Sequence, residues 1–595
     1  MKRQLLGGNF YFSTPLRGLG YGPKAQLGPV LERPFLSTQL YLSGMRTKTT
    51  SKRQTARPHP TGTTANLTLS LAPYEGEWTF VEAAHLLRRT TFGPTKTMIE
   101  QVIEEGLDAT ILRLFEDQPL PEPPKYYGLE EADPYVGPDE SWVDATYPED
   151  ISFRTYRRRS LAAWTMAQMM EEGISLREKM TLFWVNHFAL GEAVRDPKYH
   201  YRYVTSLRTY AWGNFRELIK VITIDPAMLR FLNGNQNRAV SPNENYAREL
   251  LELYTIGKGE VAGPGDYTNY TEEDVRAMAR VLTGWRDRGY YSRNPNQPME
   301  VEFVERFHDT DAKQLSHRFD SIVIENGGDQ EYQQLIDIIF SKEEVARFIS
   351  RKLYRWFLYY DINAEIEAHI IEPLAQLIID NDYELAPALQ TLLRSQHFFD
   401  ILSVGPMIKH PLDYTVGLFK QVARTEPEDR EGRYYIYNRL FNLASGLGMS
   451  YYSVPQVAGW KAFYQAPLYT RTWITSTTLR LRHELSEQWG NRQFNQRGNI
   501  YRFDPLAYIA TFEDALDPNA MIAEATQLLL PRPLYEDQLL ALKDILLGGL
   551  PDFEWTLEYG NYLGNPEDDN LRRAVESKLR ALFTAIFHMA EYPLS

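Results

Sequence analysis

The segment Pro242-Asn-Glu-Asn-Tyr-Ala-Arg-Glu-Leu-Leu-Glu-Leu-Tyr-Thr-Ile-Gly257 decides the fold class of this chain, because it has the signals of an amphipathic helix. Ser241 stands where it would cap the helix, Pro242 suits the first turn, and Glu244 would complete a capping box. Gly257 is expected to end the helix. At about 100° per residue, apolar side chains fall on one arc and polar side chains on the other. The polar arc consists of Glu244, Asn245, Arg248, Glu249 and Glu252.

The polar arc has two interpretations. Glu244, Arg248 and Glu252 stand one turn apart, so the arginine can bridge two carboxylates. If the arc faces water, these are surface ion pairs worth about 0–1 kcal/mol each, and polar helix faces usually do face water. If the arc is buried, the same side chains form a site.

The next helix carries the complementary charges. Thr271 is expected to cap it, Asp274 stands three residues further on, and Gly284 stops it. Arg276 and Arg280 lie opposite its apolar stripe. Adjacent helices bearing carboxylates and guanidiniums would interlock through Arg–carboxylate forks, which hold a fold together without any chemistry.

Two histidines stand out from their surroundings. His187 lies in a segment, residues 180–190, that is apolar on nearly every side of a helix. Such a helix is buried, so His187 must find a partner or stay neutral. His308 and Asp309 follow a predicted strand at 301–307, where loops often present side chains to a site. A lone buried histidine is, however, more often a hydrogen-bonded core residue than a ligand.

Helical periodicity recurs along most of the chain and predicts a mainly α protein, a large multi-helix globular fold with a few short β elements. Residues 118–150 indicate a long loop and residues 286–325 the main non-helical insert. We predict a disordered basic N-terminal extension over 1–74, a main helical domain over 75–425, and a mixed loop and helical region over 426–595 packed on it. The predicted helices are 151–172, 176–190, 198–222, 242–256, 272–283, 331–340, 342–360, 363–380, 384–396, 410–424, 521–529, 535–546 and 568–590.

Composition excludes several classes of protein. The net charge of −14 argues against a nucleic-acid partner, because phosphate binding needs a basic footprint. The chain has no cysteine, which excludes disulfides and thiol catalysis. The sequence contains no run of about 18 apolar residues, so it predicts no transmembrane segment. The N-terminus lacks the pattern of a signal peptide, and either Met1 or Met45 is a plausible start.

Several of these segments, taken in order, resemble the signature blocks of the bacterial domain-of-unknown-function family numbered eighteen hundred. The resemblance runs from about residue 80 to the end, and its most specific part is the Asn-Glu-Asn-Tyr-Ala-Arg-Glu-Leu run that begins at Asn243. The blocks are residues 84–93, 181–188, 242–257, 270–285, His308-Asp309, 454–460 and 473–480.

The resemblance implies no defined reaction. Members of the family often look exported, which favours the periplasm or cell envelope, and they are commonly encoded beside a sulfatase-like exported protein, which the resemblance therefore implies as a partner. This sequence departs from the family at Ser316-His317, which replaces a usual glycine, and at residues 461–472, which are longer and more aromatic. The polar side chains within the blocks are expected to converge on a site.

Three functions remain open, and the first is a hydrolase-like enzyme that depends on a divalent metal. Imidazole and carboxylate ligands suit such an ion. No HExxH motif is present. We predict that the ligands meet in one cleft bordered by Trp184 and Trp285. The candidate metal ligands are His187, Glu249, Glu252, His308 and Asp309.

The second is a metal-free acid/base enzyme acting on an anionic or sugar-like substrate. Its candidate catalytic residues are Glu244, Arg248, Arg276 and Arg280. The third is a non-catalytic scaffold of the cell envelope, in which buried polar networks only stabilise the fold. Closed Arg–carboxylate pairs without a pocket would favour the scaffold, and unpaired carboxylates in a cavity would favour an enzyme.

Overall fold

Short polar side chains determine where many of the helices begin. In the computed structural model of the protein, which describes residues 67–127 and 133–595, Thr79 and Thr271 each accept a hydrogen bond from a first-turn amide and form a capping box. Asn214 caps another helix in the same way, by accepting from the Glu217 amide. Each cap satisfies an amide that has no partner inside its helix. The capping signals in the sequence thus translate directly into helix starts.

The helices follow one another with short connections. The first group is α1 (Phe80–Thr90), α2 (Lys96–Glu105), α3 (Leu107–Leu114), α4 (Ser152–Glu171), α5 (Arg177–His187), α6 (Pro197–Thr209), α7 (Phe215–Thr223), α8 (Pro226–Phe231) and α9 (Glu244–Glu249). The second is α10 (Glu272–Val281), α11 (Glu331–Phe340), α12 (Glu344–Phe357), α13 (Ala364–Ile366), α14 (Glu372–Asp380), α15 (Ala386–Leu393) and α16 (Pro411–Lys420). The last is α17 (Arg430–Gly446), α18 (Ser476–Asn491), α19 (Pro505–Ile509), α20 (Pro518–Leu529), α21 (Glu536–Leu547), α22 (Asp552–Gly564) and α23 (Asp569–His588).

The strands form only small antiparallel sheets. They are β1 (Val261–Gly263), β2 (Asp266–Tyr267), β3 (Trp285–Arg288), β4 (Glu300–Phe303), β5 (Lys313–Gln314), β6 (Val323–Ile324), β7 (Arg424–Thr425), β8 (Gln493–Gln496) and β9 (Asn499–Phe503). β1 pairs with β2, β3 with β4, and β5 with β6, while β9 lies between β7 and β8. The prediction of a mainly α fold with a few short β elements is confirmed.

Two helix pairs position the polar features of the molecule. α4 packs along α17, although about 260 residues separate the two helices in the chain. α9 packs against α10, and a π-helical turn over Leu250–Thr255 continues α9. Beneath them lies one hydrophobic core, in which Trp184 and Trp489 are fully buried. Since the core extends across residue 425, α17 and the helices after it pack on the preceding helices, and a domain boundary at 425 stays a prediction.

The folded part begins earlier than the sequence suggests. The amide of Tyr74 donates to Arg394 O, and the amides of Gln396 and His397 donate to Ala72 O and Ser70 O. Residues 67–74 therefore belong to the fold instead of to the predicted basic extension, because a distant segment supplies their backbone partners. The remainder of that extension, residues 1–66, lies outside the described residues. Within residues 67–127 and 133–595, no helix is long and apolar enough to cross a bilayer.

Candidate functional site

The carboxylates of α9 do not pair with the arginines that the sequence suggests. Arg248 forms a fork with Glu272, with Nη1–Oε1 and Nη2–Oε2 both 2.8 Å, and its Nη2 lies 3.3 Å from Glu244 Oε2. The Arg248 side chain keeps 32% of its surface exposed. The forks expected between the carboxylates of this helix and Arg280 are not formed, since Arg280 pairs with Asp309. The reason is distance, because Arg280 lies about 12 Å further along α10 than Glu272.

Arg276 and Arg280 differ in their surroundings. Arg276 is exposed and forms no ion pair with a described residue. Arg280 forms a fork with Asp309, with Nε–Oδ2 2.7 Å and Nη2–Oδ1 3.0 Å. Burial would raise the pKa of Asp309, but the Arg280 fork, the Asp311 amide and the Lys313 charge together outweigh burial and lower it. Asp309 is thus committed to an ion pair.

Glu249 and Glu252 are less fully paired than Asp309, as would be expected of site residues. Glu252 accepts a hydrogen bond of 3.0 Å from the Tyr270 hydroxyl. Glu249 is half-buried, has no hydrogen-bond partner among residues 67–127 and 133–595, and its pKa is raised by burial and then by the neighbouring Glu252. Their role as metal ligands stays a prediction.

His187 is part of the aromatic core. Its Nε2 lies 3.0 Å from Tyr254 O and its Nδ1 lies 3.1 Å from Lys352 Nζ. Burial, followed by the nearby Lys352 charge, holds the pKa of His187 well below its usual value. Lys352 itself is buried, which lowers its pKa to about 7. The histidine is neutral at pH 7 and fully hydrogen-bonded.

His308 belongs to a second, separate network. Its Nδ1 lies 3.0 Å from Thr283 O, and its Nε2 lies 2.9 Å from Glu331 Oε1. The other oxygen, Glu331 Oε2, is 2.6 Å from Lys313 Nζ, and the side chains of all three ionisable residues are completely buried. Burial would raise the pKa of Glu331, but the hydrogen bonds from His308 and Lys313 outweigh burial and lower it.

The partners of His187 and those of His308 have no residue in common, so contacts of these side chains do not support one shared cleft. Among the residues that the structure describes, no group of three or more histidines, aspartates and glutamates is placed to hold a metal ion. A divalent metal at these positions therefore stays a prediction from the sequence.

A long open groove lies elsewhere, between α4 and α17. Its first compartment has a volume of about 830 Å³ and its second about 630 Å³. Arg159, Asn438 and Asn442 line both compartments, which makes the groove continuous. Both volumes are within the usual range of ligand sites, roughly 300–1,000 Å³.

Two helices and one turn supply much of the groove wall. The exposed face of α4 contributes Ser152, Thr155, Arg158 and Arg159, and the β8–β9 turn contributes Gln496 and Arg497. α17 contributes residues at the spacing of one helix face. These are Tyr435, Asn438, Arg439 and Asn442.

Positive charge dominates the groove. Arg158, Arg159, Arg439 and Arg497 form no salt bridge with any residue in 67–127 or 133–595. Its carboxylates are each engaged, because Asp150 Oδ1 accepts from the Ser152 amide at 2.8 Å and Glu192 lies 3.4 Å from Arg195. A cationic groove on a chain of net charge −14 attracts anionic ligands.

Aromatic rings and amides accompany these guanidiniums. The Tyr127 and Tyr435 rings are 5.2 Å apart, and the guanidinium of Arg497 lies 4.9 Å above the Tyr435 ring. Asn438 Nδ2 donates to Arg159 O at 3.2 Å, which fixes the amide at the centre of the groove. Arg439 packs on Phe494, and its buried Nε has no acceptor. The groove wall thus combines guanidinium and amide donors with a partly exposed tyrosine.

Residues 85–552 match the family model described as a protein of unknown function (DUF1800). The chain belongs to this family. No curated protein and no solved structure matches it. Every residue of the α4–α17 groove lies inside the part that matches DUF1800.

The sequence alone did not predict the α4–α17 groove of this DUF1800 chain. A helical prediction over residues 430–446 would have placed Tyr435, Asn438, Arg439 and Asn442 on one face. That segment follows an acidic loop that contains Pro427, and its apolar residues are spread around the helix, so the usual amphipathic signal is weak. The partner helix α4 is a predicted helix, yet nothing local indicates that the two meet.

Proposed function

We propose that the chain binds an acidic carbohydrate in the α4–α17 groove. The observation that supports this proposal is a set of four guanidiniums that have no carboxylate partner within residues 67–127 and 133–595, and that line one continuous groove together with tyrosines and amides. Guanidinium forks match the planar carboxylate of a uronic acid or the oxygens of a sulfate ester.

The neutral side chains of the groove suit the rest of a sugar. Amides and hydroxyls, such as those of Asn438, Asn442 and Ser152, exchange hydrogen bonds with sugar hydroxyls. The half-buried Tyr435 ring, which lies beside the Arg497 guanidinium, adds aromatic surface for the C–H side of a pyranose. A ligand with both features, charged groups and hydroxyls, uses the whole groove.

Binding is favoured over hydrolysis. Hydrolysis of a glycosidic bond uses a pair of carboxyl groups flanking that bond. Among the described lining residues, the first compartment has only Asp150 and the second only Glu192, and each already has a partner. The closed pairs formed by Arg248 and Arg280 likewise fit a stabilising role. The proposal therefore extends the scaffold hypothesis by giving the scaffold a ligand.

The implied sulfatase-like companion is compatible with this proposal, because a protein that presents sulfated or carboxylated sugars would bring substrate to such a partner. The proposal does not depend on that companion. It requires only that the groove distinguishes acidic from neutral sugars.

Calorimetric titration of the full chain tests the proposal with two matched ligands, an oligogalacturonate and a galactose oligomer of the same length. We expect binding of the acidic oligomer only. Because a hydrogen bond to a charged group is worth about 1.5–3 kcal/mol, Arg159→Gln and Arg439→Gln should each weaken binding about tenfold or more.

Arg276→Gln is the matched control, because Arg276 is equally cationic and exposed but lies on α10, outside the groove. It should leave the affinity unchanged. Equal affinity for the neutral oligomer, or the same loss in the control as in the groove variants, would overturn the proposal.

A further inference from the structure

A second group of cations is buried where α1, α5, α16 and α18 approach one another. Arg88 and Arg89 end α1, Lys179 is on α5, Lys409 precedes α16, and Arg482 is on α18. All five are buried, with between 2% and 7% of each residue exposed. We refer to them as the cation cluster.

One carboxylate pairs with this cluster. Asp413 contacts Lys179 Nζ, and its Oδ2 lies 3.1 Å from His410 Nε2. The other cations reach only backbone carbonyls: Arg88 Nη2 donates to Gln527 O, Arg89 Nη2 to Ser403 O, Lys409 Nζ to Tyr592 O, and Arg482 Nη2 to Lys409 O. Ser595 also borders the cluster, but no ion pair joins it to a described cation.

Among the described residues, Asp413 therefore balances only part of the charge of the cluster. Removing a charged group from water is costly unless an opposite charge accompanies it. The cost is visible in two side chains, since burial lowers the pKa of Lys409 to about 7 and that of Arg89 to about 9. A buried anion would remove this imbalance.

A cavity of about 30 Å³ opens onto the cluster. Besides His410 Nε2, which lies beside Asp413, four of its lining residues have a buried side-chain donor with no acceptor among the described residues: Arg88 Nε, Arg89 Nε, Thr470 Oγ1 and Trp473 Nε1. Unsatisfied donors are uncommon in native proteins and indicate a missing partner. Here the missing partner is a hydrogen-bond acceptor. Because positive charge is in excess around the cavity, an anionic acceptor is favoured.

The volume of the cavity limits the size of that anion. About 10–15 Å³ of such volume holds one water molecule, so the cavity accepts two waters or one halide. A phosphate or a sulfate, with four oxygens, is too large. The aromatic walls formed by Trp356, Phe463 and Trp473 suit a large, weakly hydrated ion.

We propose that this cavity binds one monoatomic anion of the size of chloride, held by Arg88, Arg89, Lys179, Thr470 and Trp473. The ion acts as an internal counterion that joins residues 470–473 to the N-terminal helix α1. This site is independent of the α4–α17 groove and of the sugar proposed there.

Thermal unfolding of the full chain at constant ionic strength tests the site, with chloride or bromide replacing gluconate, which is too large to enter. Binding to the folded state raises Tm in a saturable way, by roughly 2–4 °C. Crystals grown in bromide should show an anomalous peak between Arg89 and Trp473. The groove variant Arg159→Gln should retain the whole halide effect, which separates this site from the proposed function.

Thr470→Val removes one donor with little change in shape and should raise the halide concentration at half-saturation about fivefold, because a neutral hydrogen bond is worth ~1 kcal/mol. Thr584→Val is the matched control, since Thr584 is also a buried threonine with an unpaired hydroxyl but lies on α23. If Thr470→Val fails to fold, the bromide peak of the wild-type chain decides alone. A Tm that does not change with halide concentration, or the absence of a bromide peak, would overturn the proposal.

Discussion

The cation cluster and the His308 network are both fully buried, but they balance charge differently. In the network, the single carboxylate of Glu331 accepts from both His308 and Lys313, so the only obligatory cation has a partner. In the cluster, five cations surround Asp413. Burial alone therefore does not identify a binding site, whereas burial with unbalanced charge and unpaired donors does.

The sharpest test of this comparison replaces one lysine in each region by methionine, which has a similar volume. Lys313→Met leaves the Glu331 carboxylate without its cation and should destabilise the protein by ~3–5 kcal/mol. Lys409→Met removes one of several repelling cations, so its cost should be below ~1 kcal/mol. Urea unfolding of both variants in halide-free buffer measures the difference. Equal losses would mean that the cluster is balanced by groups other than Asp413.

Acid sensitivity gives the next largest effect. The folded-state pKa of His187 lies well below that of the unfolded chain, so below about pH 6.5 the unfolded chain binds a proton that the folded chain does not. Stability is present above that pH and is lost as the pH falls. His187→Gln should reduce the slope of unfolding free energy between about pH 6.5 and 5 by up to ~1.4 kcal/mol per pH unit.

His369→Gln is the control for the acid titration, because His369 is exposed. Its slope should match that of the wild type. A His187 variant that keeps the wild-type slope would show that His187 takes up a proton in the folded state.

The smallest expected effect concerns the ion pair between α9 and α10. Arg248 and Glu272 each keep about a third of their side-chain surface exposed, so Arg248→Ala should cost only ~0–1 kcal/mol. Arg276→Ala, which breaks no ion pair, should cost nothing measurable by urea unfolding. A loss of several kcal/mol at Arg248 would restore the interpretation of this helix face as a buried site.

Local signals predicted many of the helices but not α2, α3, α8, α17, α18, α19 or α22. They also failed where distant backbone intervened. α9 is capped by Asn243 instead of Ser241, because the Ser241 amide is held in a preceding turn by Arg238 O. The predicted helix 198–222 is two helices, α6 and α7, because residues 213–215 hydrogen-bond to residues 383–385 and Asn214 caps a new helix. Neither contact can be predicted from the residues next to it in the sequence.

The candidate site was less predictable than the fold. The polar residues of α9 and α10 are recognisable from helical spacing, but which carboxylate meets which arginine depends on the offset between the two helices. Arg88 and Arg89 lie within the family block at residues 84–93. Their unusual environment nevertheless arises from Asp413 and Thr470, which are more than 300 residues further along the chain.

By itself, the sequence determined the helical class, the bounds of many helices and family membership, because caps, breakers and periodicity act over a few residues. The tertiary structure alone decided whether each charge is neutralised. Electrostatic balance is a sum over all groups brought within a few ångströms, whatever their separation in the chain. For that reason His187 and His308 became satisfied core residues, while Arg89 and Arg439 were left with donors that still need a partner.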